Sequence, residues 1–279
     1  MKFSFTLKPS ESKRLIAKAV LQMEEITRAL QKSYLIIAGG TTNAFVAQEI
    51  MKSATPVPQF FGFGLSTCGV LCISNPEKRS DLPFILYKGN RVNQTVEETL
   101  QDFHQDTVII KGANALDSSG KVGIVVSGFD GGIVGKTIGT ATSQGIKYIV
   151  PVGLEKRVDC VEKATRAVGA RDLDYSMGTD YGMYCLVKAH VVHEIEALRI
   201  LWNLDATHVA SGGFGGNEGA VTLVAEGSKE NVEGAIALIK SIKGEPSIAP
   251  HKNECYSCDY KRCAFQGLNR KSLPSWLQE

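Results

Sequence analysis

A glycine-rich turn is the first stretch whose residues could do chemistry. Gly39 and Gly40 follow a short apolar run, and Thr41, Thr42 and Asn43 stand where a helix would begin. Glycine permits a sharp turn, while the free backbone N–H groups and the dipole of a helix N-terminus favour an anion. The turn therefore predicts a cradle for phosphate or carboxylate. The alternative is that the same residues only cap the helix.

A cysteine-rich tail is the second such stretch. Cys255 and Cys258 are separated by two residues, and Cys263 follows five positions later. Two thiolates at this spacing can bind one tetrahedral metal ion, and a third can occupy another side of it. The fourth ligand could be His251, Cys160 or another cysteine. The tail predicts zinc or an iron–sulfur cluster, and the alternatives are free thiols or one disulfide with a spare cysteine.

The composition is that of a soluble globular protein. The 279 residues are 43% hydrophobic and 22% charged, which suits one large or two smaller domains. A formal net charge of +2 gives no electrostatic argument for a nucleic-acid or membrane partner. No apolar run approaches the roughly 18 residues of a membrane span, and the first residues do not resemble a signal peptide. We expect a cytoplasmic homo-oligomer with reduced thiols among its seven cysteines.

Predicted strands and helices alternate through the first half of the chain. A strand, turn and helix span 34–50, and a second strand–helix–strand pattern spans 106–156. This alternation predicts an α/β fold with a mostly parallel, Rossmann-like sheet covered by helices on both faces. The loops at 39–43, 111–117 and 153–156 each follow a strand. We therefore expect them to meet at the carboxyl edge of the sheet, where ligands bind in such folds.

Other segments predict flanking units. Apolar spacing over 10–31 predicts one continuous helix, and the βαββα order over 182–244 predicts a smaller ferredoxin-like α+β unit. Inside that unit, the glycine run 211–217 predicts either an anion-binding nest or a flexible hairpin loop. The expected organisation is a Rossmann-like ligand-binding domain at 1–175, a ferredoxin-like domain at 176–245 and a Cys-rich tail at 246–279.

Four motifs resemble a known superfamily when taken together. The segments 38–43, 111–117, 130–132 and 152–156 are similar in order to those of A-type ribose-5-phosphate isomerase, glucosamine-6-phosphate deaminase, CoA transferases and DeoR-type sugar-phosphate sensors. The 111–117 loop is closest to the sensors' Gly-Ala-Asn-Gly-Ile-Asp. The resemblance implies that a sugar phosphate or acyl-CoA is bound by Gly39, Gly40, Thr41, Thr42, Asn43, Gly112, Asn114, Asp117, Asp130 and Gly131. Lys111 and Lys156 are candidate cations for such an anion, or else exposed charges at strand ends.

Departures from the family pattern bear on activity. The isomerases have Asp-Gly-Ala-Asp where this chain has Lys111 and Asn114, and their helical Glu-Lys pair aligns with Gly135 and Lys136. Because proton abstraction beside a carbonyl needs those acids, the departures argue against sugar-phosphate isomerase activity. Glu155 is the carboxylate nearest the expected cleft. It is a candidate catalytic residue, since CoA transferases use a glutamate nucleophile, or else half of a solvated ion pair with its neighbour.

Two classes of function therefore stand. The first is binding of a small anionic metabolite at the sheet edge, with or without isomerase, hydrolase or transferase activity. The second is a non-catalytic regulatory or redox module whose active part is a metal or iron–sulfur site of Cys255, Cys258, Cys263 and His251. The sensors' N-terminal helix-turn-helix has no counterpart here, which disfavours a transcription factor.

Overall fold

The computed structural model describes residues 1–278 as an α/β fold with eight α-helices and fourteen strands. In chain order the elements are β1 (Lys2–Leu7), α1 (Pro9–Leu21), α2 (Glu24–Lys32), β2 (Tyr34–Ile37), α3 (Thr41–Met51), β3 (Gly64–Thr67), β4 (Val70–Ile73), β5 (Phe84–Tyr87), β6 (Asn90–Arg91), α4 (Val96–Thr99), β7 (Val108–Ile110), β8 (Ala115–Leu116), β9 (Val122–Val126), α5 (Gly132–Gln144), β10 (Lys147–Pro151), α6 (Val161–Arg166), β11 (Gly182–Leu186), β12 (His190–Val192), α7 (Glu194–Trp202), β13 (Asp205–Ser211), β14 (Val221–Glu226) and α8 (Lys229–Ile242).

A six-stranded mixed sheet lies at the centre, in the order β12-β10-β7-β2-β5-β6. β12, β10, β7 and β2 are parallel to one another. β5 runs antiparallel to β2, and β6 at the far edge runs antiparallel to β5. Every residue of β2 and β7 is buried. Strands covered on both faces require continuous apolar runs, which explains why these segments lack a polar alternation. The α/β class with parallel strands is confirmed.

The predicted continuous helix over 10–31 is wrong, because the chain bends between α1 and α2. Met23 is extended, with φ −71° and ψ 135°, and its side chain is buried. The bend lets α1 pack on α3 and α7, while α2 packs on β2 and β5. Apolar spacing continues through the bend because both helices face the same core, so periodicity alone did not reveal it.

Three smaller sheets complete the fold. β1, β14 and β13 form one antiparallel sheet, β11, β9 and β8 form another, and β3 pairs with β4. The segment expected to open the ferredoxin-like unit is β11, which pairs with β9, while β12 joins the central sheet. Strand pairing thus crosses residue 175, and one hydrophobic core extends from Leu7 to Ile242. No helix within residues 1–278 is long and apolar enough to cross a membrane.

The tail has a small hydrophobic core of its own. It contains the buried residues Val70, Cys255, Phe265, Leu273 and Leu277. The chain after residue 250 extends along β4, where the Asn253 amide donates to the Ile73 carbonyl at 2.9 Å. The tail is thereby attached to the β3–β4 hairpin.

Candidate functional site

Four parallel strands end side by side at one edge of the central sheet. β2, β7, β10 and β12 share one direction. The last residues of β2 and β7 are paired, as are those of β10 and β12, and β10 extends two residues past its pairing with Ile110. Ligands bind at this edge in α/β folds because the connecting loops converge there. The chain leaves the four strands through the glycine turn 39–43, Lys111, the segment 153–156 and Glu194.

The glycine turn brings a buried amide into this edge. Gly40, at φ +151°, precedes the first turn of α3, a conformation that only glycine adopts readily. Asn43 is fully buried and its Nδ2 donates to the Ala38 carbonyl at 2.7 Å. Its Oδ1 has no hydrogen-bond partner within residues 1–278. A methyl group on Gly112 would lie 3.6 Å from that oxygen, so the glycine turn and the loop after β7 adjoin.

Three lysines point their amines into the same edge. The Nζ atoms of Lys13, Lys111 and Lys156 donate to the carbonyls of Pro9, Gly112 and Ala113 at 3.3, 3.2 and 3.0 Å. Among the described residues, none of these amines lies within 4.0 Å of a carboxylate. Burial, and next the charge of Lys156, lower the pKa of Lys111 to about 8. Burial also lowers the pKa of Lys13.

Two carboxyl groups complete the arrangement. Glu194 is fully buried at the start of α7, where its Oε2 accepts from the Leu154 amide at 2.9 Å. Its Oε1 has no partner within residues 1–278, and the same holds for Oε2 of Glu155. Burial, and next the charge of Glu155, raise the pKa of Glu194 to about 7. We call Lys13, Lys111, Lys156, Glu155 and Glu194 the edge cluster.

Glu155 does not form the solvated ion pair that was the alternative interpretation. It is partly buried, and no pair with Lys156 occurs among the salt bridges of the described chain. Its carboxylate folds back over Gly153, where a methyl group would fall 1.8 Å from Oε2. A methyl group on Gly219 would lie 3.8 Å from Glu155 Cβ, so the glycine loop between β13 and β14 also borders the cluster.

Other predicted ligand residues have local partners instead. The Asp117 carboxylate accepts from the Ser119 amide at 2.9 Å and the Val161 amide at 2.9 Å. Hydrogen bonds from Ser119 and Val161 lower the pKa of Asp117 to about 2. Asn114 Oδ1 accepts from the Val125 amide at 3.0 Å. These bonds join neighbouring turns and strands.

Asp130 and Gly131 lie at the N-terminus of α5. Asp130 accepts from the Gly132 amide at 2.9 Å and lies 3.4 Å from the Lys136 amine. Gly131 has φ +70° and faces Tyr184, whose hydroxyl a methyl group would meet at 2.7 Å. Both residues therefore serve the turn between β9 and α5 in this structure.

Sequence analysis missed two members of the edge cluster. Lys13 stands on an amphipathic helix where a lysine is ordinarily solvated, and nothing in its spacing marks it. Glu194 follows the three-residue strand β12, which the βαββα pattern predicted over 182–244 does not include. The available signal was His193, which caps α7 by accepting from the Glu196 amide at 3.3 Å and so marks the helix start.

The tail brings thiols from two distant segments together. Cys68 and Cys72 of the β3–β4 hairpin pack with Cys263 against the small core that contains Cys255. We call these four residues and Cys258 the thiol cluster. All seven cysteines are free thiols. Burial raises the pKa of Cys72 to about 11, and the charges of Cys255 and Cys258 also raise it.

The other proposed ligands of the tail lie differently. The His251 ring stacks on Phe60 at 4.9 Å, and its Nε2 is buried without a partner in the described chain. Cys160 caps α6, accepting from the Lys163 amide at 3.5 Å. Within residues 1–278, His, Cys, Asp and Glu side chains do not already form a group of three or more that could hold a metal ion.

Comparisons of the chain with protein-family models, with curated proteins and with solved structures find no match.

Proposed function

We propose that the protein binds a small anionic metabolite, of the sugar-phosphate or acyl-CoA type, at the carboxyl edge of its parallel strands. The observation that carries this proposal is the set of three amines, from Lys13, Lys111 and Lys156, that lack carboxylate partners. Amines held close together repel one another. A bound anion would remove that repulsion.

The chemistry of the edge suits a phosphate or carboxylate group with hydroxyls attached. The first turn of α3 offers backbone N–H groups and the positive end of an eleven-residue helix. Oxygens of Asn43, Glu155 and Glu194 without partners could accept hydrogen bonds from hydroxyl or amino groups of the same ligand. The resemblance of the loops to sugar-phosphate and CoA proteins supports this ligand class. Glu155 and Glu194 also make proton transfer a compatible activity.

Calorimetric titration tests the proposal. We would titrate wild type with inorganic phosphate, ribose 5-phosphate, glucosamine 6-phosphate and acetyl-CoA, and repeat the best ligand on Lys111→Met and Lys156→Met. Each substitution should weaken binding by about ten- to a hundredfold, because a hydrogen bond to a charged group contributes roughly 1.5–3 kcal/mol. Lys240→Met, exposed on α8, is the matched control and should bind as wild type does. Equal affinity of all three variants would contradict the proposal.

A second candidate function is favoured by the thiol cluster. Cys68 and Cys72 lie about 190 residues from the tail in sequence, yet they pack on the core that contains Cys255. Such convergence suits zinc or an iron–sulfur cluster, which stabilises segments with little apolar core. Binding of zinc or an iron–sulfur cluster would require the thiol side chains to turn toward a common centre. We propose Cys72 as a ligand beside Cys255, Cys258 and Cys263.

Metal and sulfide analysis of anaerobically purified protein tests this candidate. Zinc, or iron with sulfide, should be present and should fall at least tenfold in Cys72→Ser and Cys258→Ser. Cys160→Ser, outside the cluster, should keep the wild-type content. If both variants keep the wild-type metal content, or if wild type contains no metal, this candidate function is wrong.

A further inference from the structure

Lys111 stands where a nucleophilic amine could meet a bound metabolite. It is the first residue after β7, which lies between two other parallel strands of the central sheet. Its amide donates to the Ile149 carbonyl at 3.1 Å, so the backbone at this position is held to β10. The side chain therefore starts from a rigid element, beside Lys156 of the edge cluster.

The amine of Lys111 has one protein partner and no carboxylate beside it. Its one hydrogen bond in the described chain is to the Gly112 carbonyl, at 3.2 Å. By contrast, the Lys121 amine lies 3.0 Å from the Glu162 carboxylate. The nearby ammonium of Lys156 further disfavours a second positive charge. Burial beside another cation is the environment that activates lysine amines as nucleophiles.

We propose that Lys111 forms an imine with an aldehyde or ketone group of the anionic metabolite. This inference rests on the proposed function, because the other two lysines would hold the anionic group while Lys111 reacts. It adds the requirement that the metabolite carries a carbonyl group. It also assigns Lys111 a covalent role instead of a purely electrostatic one.

Imine formation releases one water molecule and leaves the nitrogen protonated. The Nζ lone pair attacks the carbonyl carbon, a C–N bond forms, and a proton moves from nitrogen to the former carbonyl oxygen. The C–O bond then breaks as the hydroxyl takes a proton from the solvent and leaves as water. The products are a protonated imine and water.

The protonation states support this scheme. With its pKa lowered to about 8, roughly a quarter of Lys111 amines are neutral at pH 7.5, against about one in a thousand for an ordinary lysine. The attack on the carbonyl carbon requires the neutral amine.

Trapping with borohydride tests the proposal directly. Wild type is incubated with glycolaldehyde phosphate, reduced with sodium borohydride and digested for mass spectrometry. We expect the reduced adduct on Lys111 at least tenfold faster than on exposed Lys240, and inorganic phosphate should slow it. Lys111→Arg keeps the positive charge and cannot form an imine, so it should bind inorganic phosphate while losing the adduct. Adducts spread evenly over surface lysines would overturn the proposal.

A second measurement does not depend on the Lys111 substitution. Competitive acetylation with acetic anhydride reports the pKa of Lys111 in wild type and in Lys156→Met. Loss of the Lys156 charge should raise that pKa and slow acetylation at pH 7.5, and an unchanged profile would contradict the scheme. If wild type binds phosphate but forms no adduct on Lys111, the imine proposal is wrong and the anion-binding proposal is unaffected. If wild type does not bind phosphate, the proposed function itself is wrong.

Discussion

At the scale of single residues, Glu194 is the fully buried member of the edge cluster. One of its oxygens accepts from the Leu154 amide, while the other has no partner in the described chain. Burial disfavours the charged form of a carboxyl group, so its proton is retained to higher pH. Such displaced pKa values collect at functional sites, because catalytic and binding groups need particular protonation states.

Glu194 predicts a pH-dependent stability. Its pKa is raised to about 7 in the folded protein from its ordinary value of 4.5, so the native state holds one more proton than the unfolded state between those pH values. The free energy of unfolding should therefore fall as pH rises from about 4.5 to 7, by roughly 3 kcal/mol from this group. Glu194→Gln should lack this dependence, as measured by urea unfolding at pH 5 and pH 8.

A matched control separates this effect from general titration. Glu230→Gln alters an exposed carboxyl at the start of α8 and should follow the wild-type pH dependence. If Glu194→Gln and wild type differ by the same free energy at both pH values, burial of this carboxyl does not determine the dependence.

At the scale of elements, short loops attach neighbouring secondary structures to one another. The loop between β8 and β9 and the N-terminus of α6 are joined by the two oxygens of Asp117, one accepting from Ser119 and the other from Val161. α6 has six residues, so its first free N–H groups depend on such a partner. This role accounts for an aspartate that the motif alone would place in a ligand site.

Asp117→Ala should reduce stability without altering anion binding. It leaves the Val161 amide buried without a partner, and removing such a bond costs about 1–3 kcal/mol. Urea unfolding at pH 7 measures the loss, and calorimetry with the best ligand measures binding. Asp159→Ala, at an exposed position nearby, should change neither. If Asp117→Ala keeps wild-type stability but loses the ligand, Asp117 belongs to the binding site.

At the scale of the whole molecule, the N-terminal elements β1 and α1 contact β14 and the segment that follows α8. Arg14 of α1 donates to Glu49 at 2.9 Å and to Glu245, beyond α8, also at 2.9 Å. The buried carboxylate of Glu11 accepts from the Gly244 amide at 3.0 Å. β1 pairs with β14 along its whole length. Lys13 is thereby positioned by contacts with residues more than 200 positions away, and the expected homo-oligomer stays a prediction.

The local order of the chain determined much of the fold in advance. Buried strands such as β2 and β7 are short apolar runs, and Gly40 marks the turn that opens α3. Since successive strands alternate with helices, the sequence also predicted parallel strands whose following loops share one edge. Local propensity and spacing suffice for these features because each depends on a few neighbouring residues.

Tertiary structure alone decided which charged groups meet. Lys13 and Glu194 are 181 positions apart on different helices, and their own neighbours in sequence do not distinguish them from solvated side chains. Cys72 joined the tail for the same reason, through pairing of the tail with β4. Burial and charge proximity are properties of the packed chain, so the pKa values that give Lys111 and Glu194 their chemistry arise only after folding.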